Sequence, residues 1–266
     1  MMKNTVKEWL ENGKIDLFIG YKMSNGHPLP HCFTMEDLKE VDQLIASGTR
    51  YSLEKIATHL TRQDPELKIG LLARDCNQRA LNVLSIWHQL DPEKIHTLNV
   101  NCCPSPTKEQ ADCSYMTTEI PGHYKKKVGI DNTMDAEVAD DFSDQAKNIR
   151  WMYEFQKCIK CYGCRNICPV CFCAECSLEN KDLVGRGTLP PQIPIFHLVR
   201  AAHMAGRCVD CGLCEDACPM DIPLRLLYRK VNSVVKDVFD YTTGESSDQS
   251  PFSVLGDKVK LTLKPM

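Results

Sequence analysis

Two stretches of this chain carry the same arrangement of cysteines. They read CIKCYGCRNICP at residues 158–169 and CVDCGLCEDACP at residues 208–219. In each stretch, two residues separate the first three cysteines from one another, and a fourth cysteine follows after three more residues, directly before a proline. Three thiolates at this spacing can wrap one corner of an iron–sulfur cubane, while the fourth points away and closes a second cubane. The two stretches therefore predict a domain that holds two [4Fe–4S] clusters.

The spacing is that of bacterial ferredoxins, and it predicts which thiolates share a cluster. A structural zinc site also uses CxxC pairs, but it needs only four thiolates and does not need this register. Two complete copies therefore argue against zinc. We expect the first cluster to be held by Cys158, Cys161, Cys164 and Cys218, and the second by Cys208, Cys211, Cys214 and Cys168.

Composition points to a protein whose cysteines serve metal or redox chemistry. The chain has 266 residues, 16 of them cysteine, and a formal net charge of −3. It is too long to depend on disulfides for its stability, and its charge balance does not favour a nucleic-acid or membrane-surface binder. No stretch approaches the roughly 18–20 apolar residues of a membrane span. We expect a soluble, cytoplasmic protein.

The region before the cysteine runs is predicted to be an α/β domain. Apolar patterning and capping residues predict strands at 15–20, 68–73 and 95–100, and helices at 34–46, 53–60 and 78–90. The last strand–helix–strand series predicts one right-handed βαβ unit. We place an α/β domain at 1–115, a linker at 116–144, a dicluster ferredoxin domain at 145–240 and an extended C-terminal arm at 241–266.

The connection between the two cysteine runs is long and helical. Thirty-nine residues separate Cys168 from Cys208, and they include a helix predicted at 195–206. A further helix is predicted from Pro223 to about Phe239. This connection resembles the α-helical ferredoxin domain of fumarate reductase iron–sulfur subunits and heterodisulfide reductase electron-transfer subunits. The predicted fold is an α/β N-terminal domain followed by a mostly α-helical two-cluster ferredoxin domain.

Eight cysteines lie outside the two runs, and some of them suggest a third cluster. Cys76 follows a predicted strand at a helix start, and Cys102 follows the next strand, so both lie at the carboxyl edge of a parallel sheet. Free cysteines can also be buried simply as small apolar residues, and this alternative stays open. If a third cluster is present, we expect its ligands to be Cys76, Cys102, Cys173 and Cys176, with Cys171 and Cys103 as reserves.

Other motifs carry less weight. The pair Cys102-Cys103 is followed by proline, whereas the CCG motif of heterodisulfide reductase catalytic subunits has glycine there. His197 and His203 are expected to be partly exposed helix residues, because cysteine already supplies all eight ferredoxin ligands. The chain has no GxGxxG, GxxxxGK[ST] or GxSxG motif.

Several segments resemble iron–sulfur β-subunits of the formate dehydrogenase and deazaflavin-reducing hydrogenase type. The matching segments are residues 15–20, 72–80, 98–102, 158–176 and 205–227. The resemblance implies an electron carrier, not catalytic by itself, that relays electrons between a catalytic subunit and a flavin subunit. It also implies that Cys76, Cys102 and the loop at 171–176 bind an additional cluster.

Two functions follow from these observations. The first is an electron-transfer subunit with two [4Fe–4S] clusters, or three if the additional cysteines bind a further cluster. Its partners in a hetero-oligomeric complex would be a catalytic subunit and a flavin or heterodisulfide-reductase-type subunit. The alternative is a reductase subunit that binds flavin or deazaflavin in its α/β domain. That domain ends near residue 115 without evident phosphate-binding glycines, which argues against flavin binding. A DNA-binding iron–sulfur sensor is not indicated, because no basic face is apparent.

Overall fold

The computed structural model describes residues 2–46, 50–100, 144–180, 182, 195–245 and 249–253. The chain divides into two units, the first covering residues 1–113 and 244–249 and the second covering the rest. The first unit contains α1 (Met2–Glu11), β1 (Leu17–Ser24), β2 (His27–Thr34), a 3₁₀ helix (Leu38–Gln43), β3 (Leu44–Ile45), α2 (Leu53–Gln63), β4 (Ile69–Ala73), α3 (Asp75–Ile86), a second 3₁₀ helix (Pro92–Lys94) and β5 (Ile95–Asn99).

The first unit is built around a five-stranded mixed sheet. Its strand order is β2-β1-β4-β5, with β3 paired to β1. The strands β1, β4 and β5 run parallel, and α3 connects β4 to β5. Every residue of β4 is buried, as expected for a central parallel strand covered on both faces. The predicted strand–helix–strand series is therefore confirmed, and the N-terminal region is α/β.

The segment after β1 differs from the sequence prediction. A helix was expected over 34–46, but the chain forms β2, then the 3₁₀ helix and the short strand β3. Asn25 and Gly26 both have positive φ, which allows the tight turn that joins β1 to β2. Pairing between β1 and β2 extends from Leu17 with Thr34 to Ser24 with His27. The strand β3 then pairs with β1 through Leu44 with Lys22 and Ile45 with Tyr21, and this pairing outweighs the local helix signals.

The second unit is helical over its described residues. It contains α4 (Asp144–Gln156), α5 (Gly163–Asn166), a 3₁₀ helix (Ser177–Glu179), α6 (Ile195–His203), α7 (Leu213–Asp216) and α8 (Leu224–Phe239). The helices predicted at 195–206 and up to Phe239 are thus present as α6 and α8. No helix within the described ranges is long and apolar enough to cross a membrane. The predicted linker at 116–144 lies almost wholly outside the described residues.

Candidate iron–sulfur centre

The two cysteine runs adopt the same backbone conformation, fifty residues apart. The short helix α5 in the first run corresponds to α7 in the second. Lys160 and Asp210 both have φ of 53°, while Tyr162 has φ of 57° and its counterpart Gly212 has φ of 77°. Positive φ costs an L-residue of ordinary size about 1–2 kcal/mol, so its recurrence at matching positions indicates a conformation that the site requires.

Backbone amides point at cysteine sulfurs in both runs. The N–H of Lys160 donates to Cys158 Sγ at 3.4 Å, and the N–H of Gly163 donates to Cys161 Sγ at 3.5 Å. In the second run the backbone N–H of Asp210 donates to Cys208. Hydrogen bonds to sulfur stabilise thiolates and tune the potential of iron–sulfur clusters, so the left-handed residues serve to aim these amides.

The first group of thiols combines three cysteines of the first run with one of the second. Cys158 interacts electrostatically with Cys161 and Cys218. Cys164 interacts with Cys158, Cys161 and Cys218. This group has the same four members as the expected ligand set of the first cluster.

The second group of thiols lines a cavity. Cys214 interacts with Cys211, Cys208 and Cys168, and Cys208 also interacts with Cys168. The same four cysteines line one cavity, together with Arg200, Met204, Asp210 and Tyr228 among others. Cys168 therefore faces the thiols of the other run, which is the crossed arrangement expected from the spacing.

Burial makes these thiols unfavourable as free anions. It raises the pKa of Cys208 to about 12, and it also raises the pKa of Cys214, Cys158 and Cys164. A buried thiolate becomes favourable when it binds a soft metal centre, because the metal replaces the proton and offsets part of the negative charge. The donor set of eight thiols thus fits iron–sulfur clusters.

Within the described part of the chain, no group of three or more histidine, cysteine, aspartate or glutamate side chains is arranged to hold a metal ion. A cubane distributes its four ligands around four irons, whereas zinc draws all four to about 2.3 Å from one centre. The role of the two thiol groups as cluster ligands stays a prediction.

The loop that follows the first run pairs each of its cysteines with an arginine. Arg200 Nη1 lies 3.9 Å from Cys171 Sγ, and Arg207 Nη1 lies 3.8 Å from Cys173 Sγ. Arg165 hydrogen-bonds Cys176. A guanidinium beside each sulfur would offset part of the negative charge of a metal–thiolate centre, so these contacts are compatible with metal binding.

The other proposed third-cluster residues are only partly described. Cys76 is 6% exposed and lies in the first turn of α3, as the sequence predicted. Cys102 and the reserve Cys103 lie outside the described residues. The third cluster therefore stays a prediction.

His197 differs from its expected placement, whereas His203 is exposed as expected. His197 is 2% exposed, and its ring stacks on Phe155 with centroids 4.7 Å apart. Burial lowers the pKa of His197 to about 4, with a smaller contribution from Arg200. This histidine is a neutral core residue near neutral pH.

Two functional candidates were missed at the sequence level, Arg200 on α6 and Tyr228 on α8. Both line the cavity of the second thiol group. The hydroxyl of Tyr228 is buried and has no hydrogen-bond partner among the described residues. Neither residue belongs to a motif. Only the amphipathic pattern of the two predicted helices could have suggested that the side chains of Arg200 and Tyr228 face inwards.

Comparison with known proteins supports this site. Residues 157–223 match the family described as a 4Fe-4S dicluster domain. The F420-dependent formate dehydrogenase subunit beta of Methanocaldococcus jannaschii is 43% identical over 102 residues, which are 38% of this chain and 27% of that protein. The F420-dependent formate dehydrogenase 1 subunit beta of Methanococcus maripaludis is 46% identical over 101 residues, which are 38% of this chain and 26% of that protein.

The matched stretch spans about a quarter of the length of these relatives. It therefore identifies a domain and leaves the activity of the whole assembly to be inferred. Residues 157–223 of this chain match the 4Fe-4S dicluster domain family, and the resemblance to iron–sulfur β-subunits of formate dehydrogenases is confirmed.

Proposed function

We propose that this chain is an iron–sulfur electron-transfer subunit of an oxidoreductase complex of the formate dehydrogenase type. The observation that carries this proposal is the cavity that brings Cys168 of the first run together with Cys208, Cys211 and Cys214 of the second. Two [4Fe–4S] clusters bound in this crossed manner would supply one-electron carriers within a single small domain.

The protein groups would hold the clusters and set their potentials. The backbone amides of Lys160 and Gly163 donate to sulfur, and apolar side chains such as Val209 and Met204 line the second site. Hydrogen bonding and burial are the main means by which a protein tunes such clusters. The electron donor and acceptor would be partner chains, a catalytic subunit on one side and a flavin or heterodisulfide-reductase-type subunit on the other.

We also propose a third [4Fe–4S] cluster with Cys76, Cys102, Cys173 and Cys176 as ligands. The support from the described residues is the guanidinium next to Cys173 and to Cys176, and the position of Cys76 in the first turn of a helix. A helix N-terminus and a neighbouring cation would both stabilise the negative charge of a metal-bound thiolate.

Pairs of cysteine substitutions test the crossed ligands by iron content alone. The full chain is purified under anaerobic conditions, and iron is counted in two double variants. Cys168→Ala with Cys208→Ala removes two ligands of the same proposed cluster, so about four irons should be lost. Cys168→Ala with Cys158→Ala removes one ligand from each cluster, so about eight should be lost.

The reverse result would show that each run binds its own cluster. A chain that contains zinc and no iron would refute the proposed function as a whole. The visible spectrum of the same wild-type sample tests the alternative function, because a bound flavin shows its own bands after dithionite reduction and reoxidation.

A further inference from the structure

Arg200 lies between the two proposed cluster sites. It is 3% exposed, and its Nη2 donates to the backbone oxygen of Cys164 in the first run at 2.8 Å. Its guanidinium carbon lies 5.8 Å from the ring centroid of Tyr228, and its side chain lines the cavity of the second thiol group. One buried cation therefore reaches both groups of thiols.

The described residues provide no carboxylate as an ion-pair partner for Arg200. The Nε atom of Arg200 is buried and has no hydrogen-bond partner among the described residues. The neighbouring arginines are different, because Arg225 and Arg229 pair with Asp210 at 2.7 Å and 2.9 Å. The acidic groups that interact with Arg200 include the thiols of Cys164, Cys168 and Cys171, the phenol of Tyr228, and the thiols of Cys208 and Cys214.

A buried cation without a counter-charge is costly, because it loses its hydration. A [4Fe–4S] cluster bound by four thiolates is negatively charged, and each one-electron reduction makes it more negative by one charge. No bond breaks and no proton moves in that step, and Arg200 stays cationic throughout. The guanidinium therefore interacts more favourably with the reduced than with the oxidised form, which raises the reduction potential.

We propose that Arg200 is a fixed counter-charge shared by the two clusters, and that it raises the reduction potential of both. This inference rests on the proposed function, in which the two thiol groups bind clusters. Arg200 acts as a positioning and tuning residue here, since it is not itself a cluster ligand. The crossed ligands place it where one charge can act on two redox centres.

The test is a redox titration of the full chain, purified anaerobically, with dithionite as reductant and electron paramagnetic resonance as readout. Arg200→Gln removes the charge, so the midpoint potentials of both clusters should shift to lower values. Arg200→Lys keeps the charge, and its midpoint potentials should lie between those of Arg200→Gln and the wild type.

Arg150→Gln is the matched control, because it removes one charge from the same unit while Glu154 keeps Lys157 as a partner at 2.7 Å. The control should leave both midpoints unchanged.

Unchanged midpoints in Arg200→Gln would overturn the proposal, and a shift of one cluster alone would overturn the shared role. If Arg200→Gln purifies without iron, full iron in Arg200→Lys supports the counter-charge. Loss of iron in both variants would show that only the shape and hydrogen bonds of arginine matter. A wild-type chain that lacks two [4Fe–4S] signals would refute the proposed function instead, so the two failures are distinguishable.

Discussion

Glu54 is a carboxyl group buried on α2 in the first unit, at 1% exposure. One of its oxygens accepts a hydrogen bond from the side-chain amide of Asn77, and the other has no partner among the described residues. Burial raises its pKa from an ordinary value near 4.5 to about 7, against the opposing effects of Asn77 and Arg74. Glu54 therefore holds a proton in the folded chain at pH values where the unfolded chain has lost it.

This difference predicts a pH-dependent stability. Between about pH 4.5 and 7 the folded state binds the extra proton, so the free energy of unfolding should fall as pH rises. The contribution of one group is at most about 1.4 kcal/mol per pH unit. The variant Glu54→Gln removes this titration and keeps an acceptor for Asn77. It should therefore gain stability relative to the wild type as pH rises through this window.

Denaturant unfolding of the full chain at several pH values from 5 to 8 checks this prediction. The quantity to compare is the stability difference between wild type and Glu54→Gln at each pH, since contributions from all other groups cancel in it. A difference that does not change with pH would mean that Glu54 titrates as an ordinary carboxyl group.

At the residue scale, sequence spacing marked the eight cysteines of the two runs as candidate ligands, whereas no sequence pattern marked Arg200. The cysteines are constrained by local spacing, because three ligands must come from one short loop. Arg200 is one of many arginines, and it reaches Cys164 only through the packing of α6 in the folded unit. The burial of His197 was missed for the same reason, because Phe155 comes from a different helix.

The short helices α5 and α7 pack closely, and Gly163 lies at their contact. A Cβ atom at Gly163 would lie 3.0 Å from the backbone oxygen of Ala217 and 3.5 Å from Cys161 Sγ. Ala217 directly precedes Cys218, the residue of the second run that joins the first thiol group. A larger residue at 163 would therefore push against the segment that carries this proposed fourth ligand.

We expect a graded effect from substitutions at Gly163. Gly163→Ala requires a backbone shift of a few tenths of an ångström, and Gly163→Val requires more, with a cost of about 1–3 kcal/mol for overpacking. The measurement is the rate of iron release to a chelator under anaerobic conditions, which should increase from wild type to Ala to Val. Equal rates in all three would show that the contact between α5 and α7 does not hold the proposed first cluster.

At the element scale, buried elements were predicted better than edge elements. The strand β4 and the helix α3 have continuous or helical apolar patterning, and both were found close to their expected positions. The strand β2 contains Pro28 and Pro30, which lower the strand signal, and it is tolerated because it lies at one end of the strand order. The Asn25-Gly26 pair was the available signal for this hairpin.

At the scale of the whole molecule, the matches to formate dehydrogenase β-subunits cover only 38% of this chain. The two described units differ in how their structure was encoded. The fold of the first unit is determined by strand pairing and apolar burial, whereas the second unit is marked in the sequence by cysteine loops that repeat after fifty residues.

Iron content of the full chain tests the third cluster. Two clusters require about eight irons and three require about twelve. We expect about twelve in the wild type and about eight in the double variant Cys173→Ser, Cys176→Ser, because the loss of two thiolates removes half of the proposed ligands. The double variant Cys76→Ser, Cys102→Ser should give the same loss if these four residues bind one cluster.

Cys32→Ser is the matched control, since Cys32 lies exposed on β2 and belongs to no proposed ligand set. Eight irons in the wild type and in every variant would mean that the additional cysteines do not bind a cluster. Loss from the first double variant alone would place the third cluster within the loop at 171–176, with Cys171 as a further ligand.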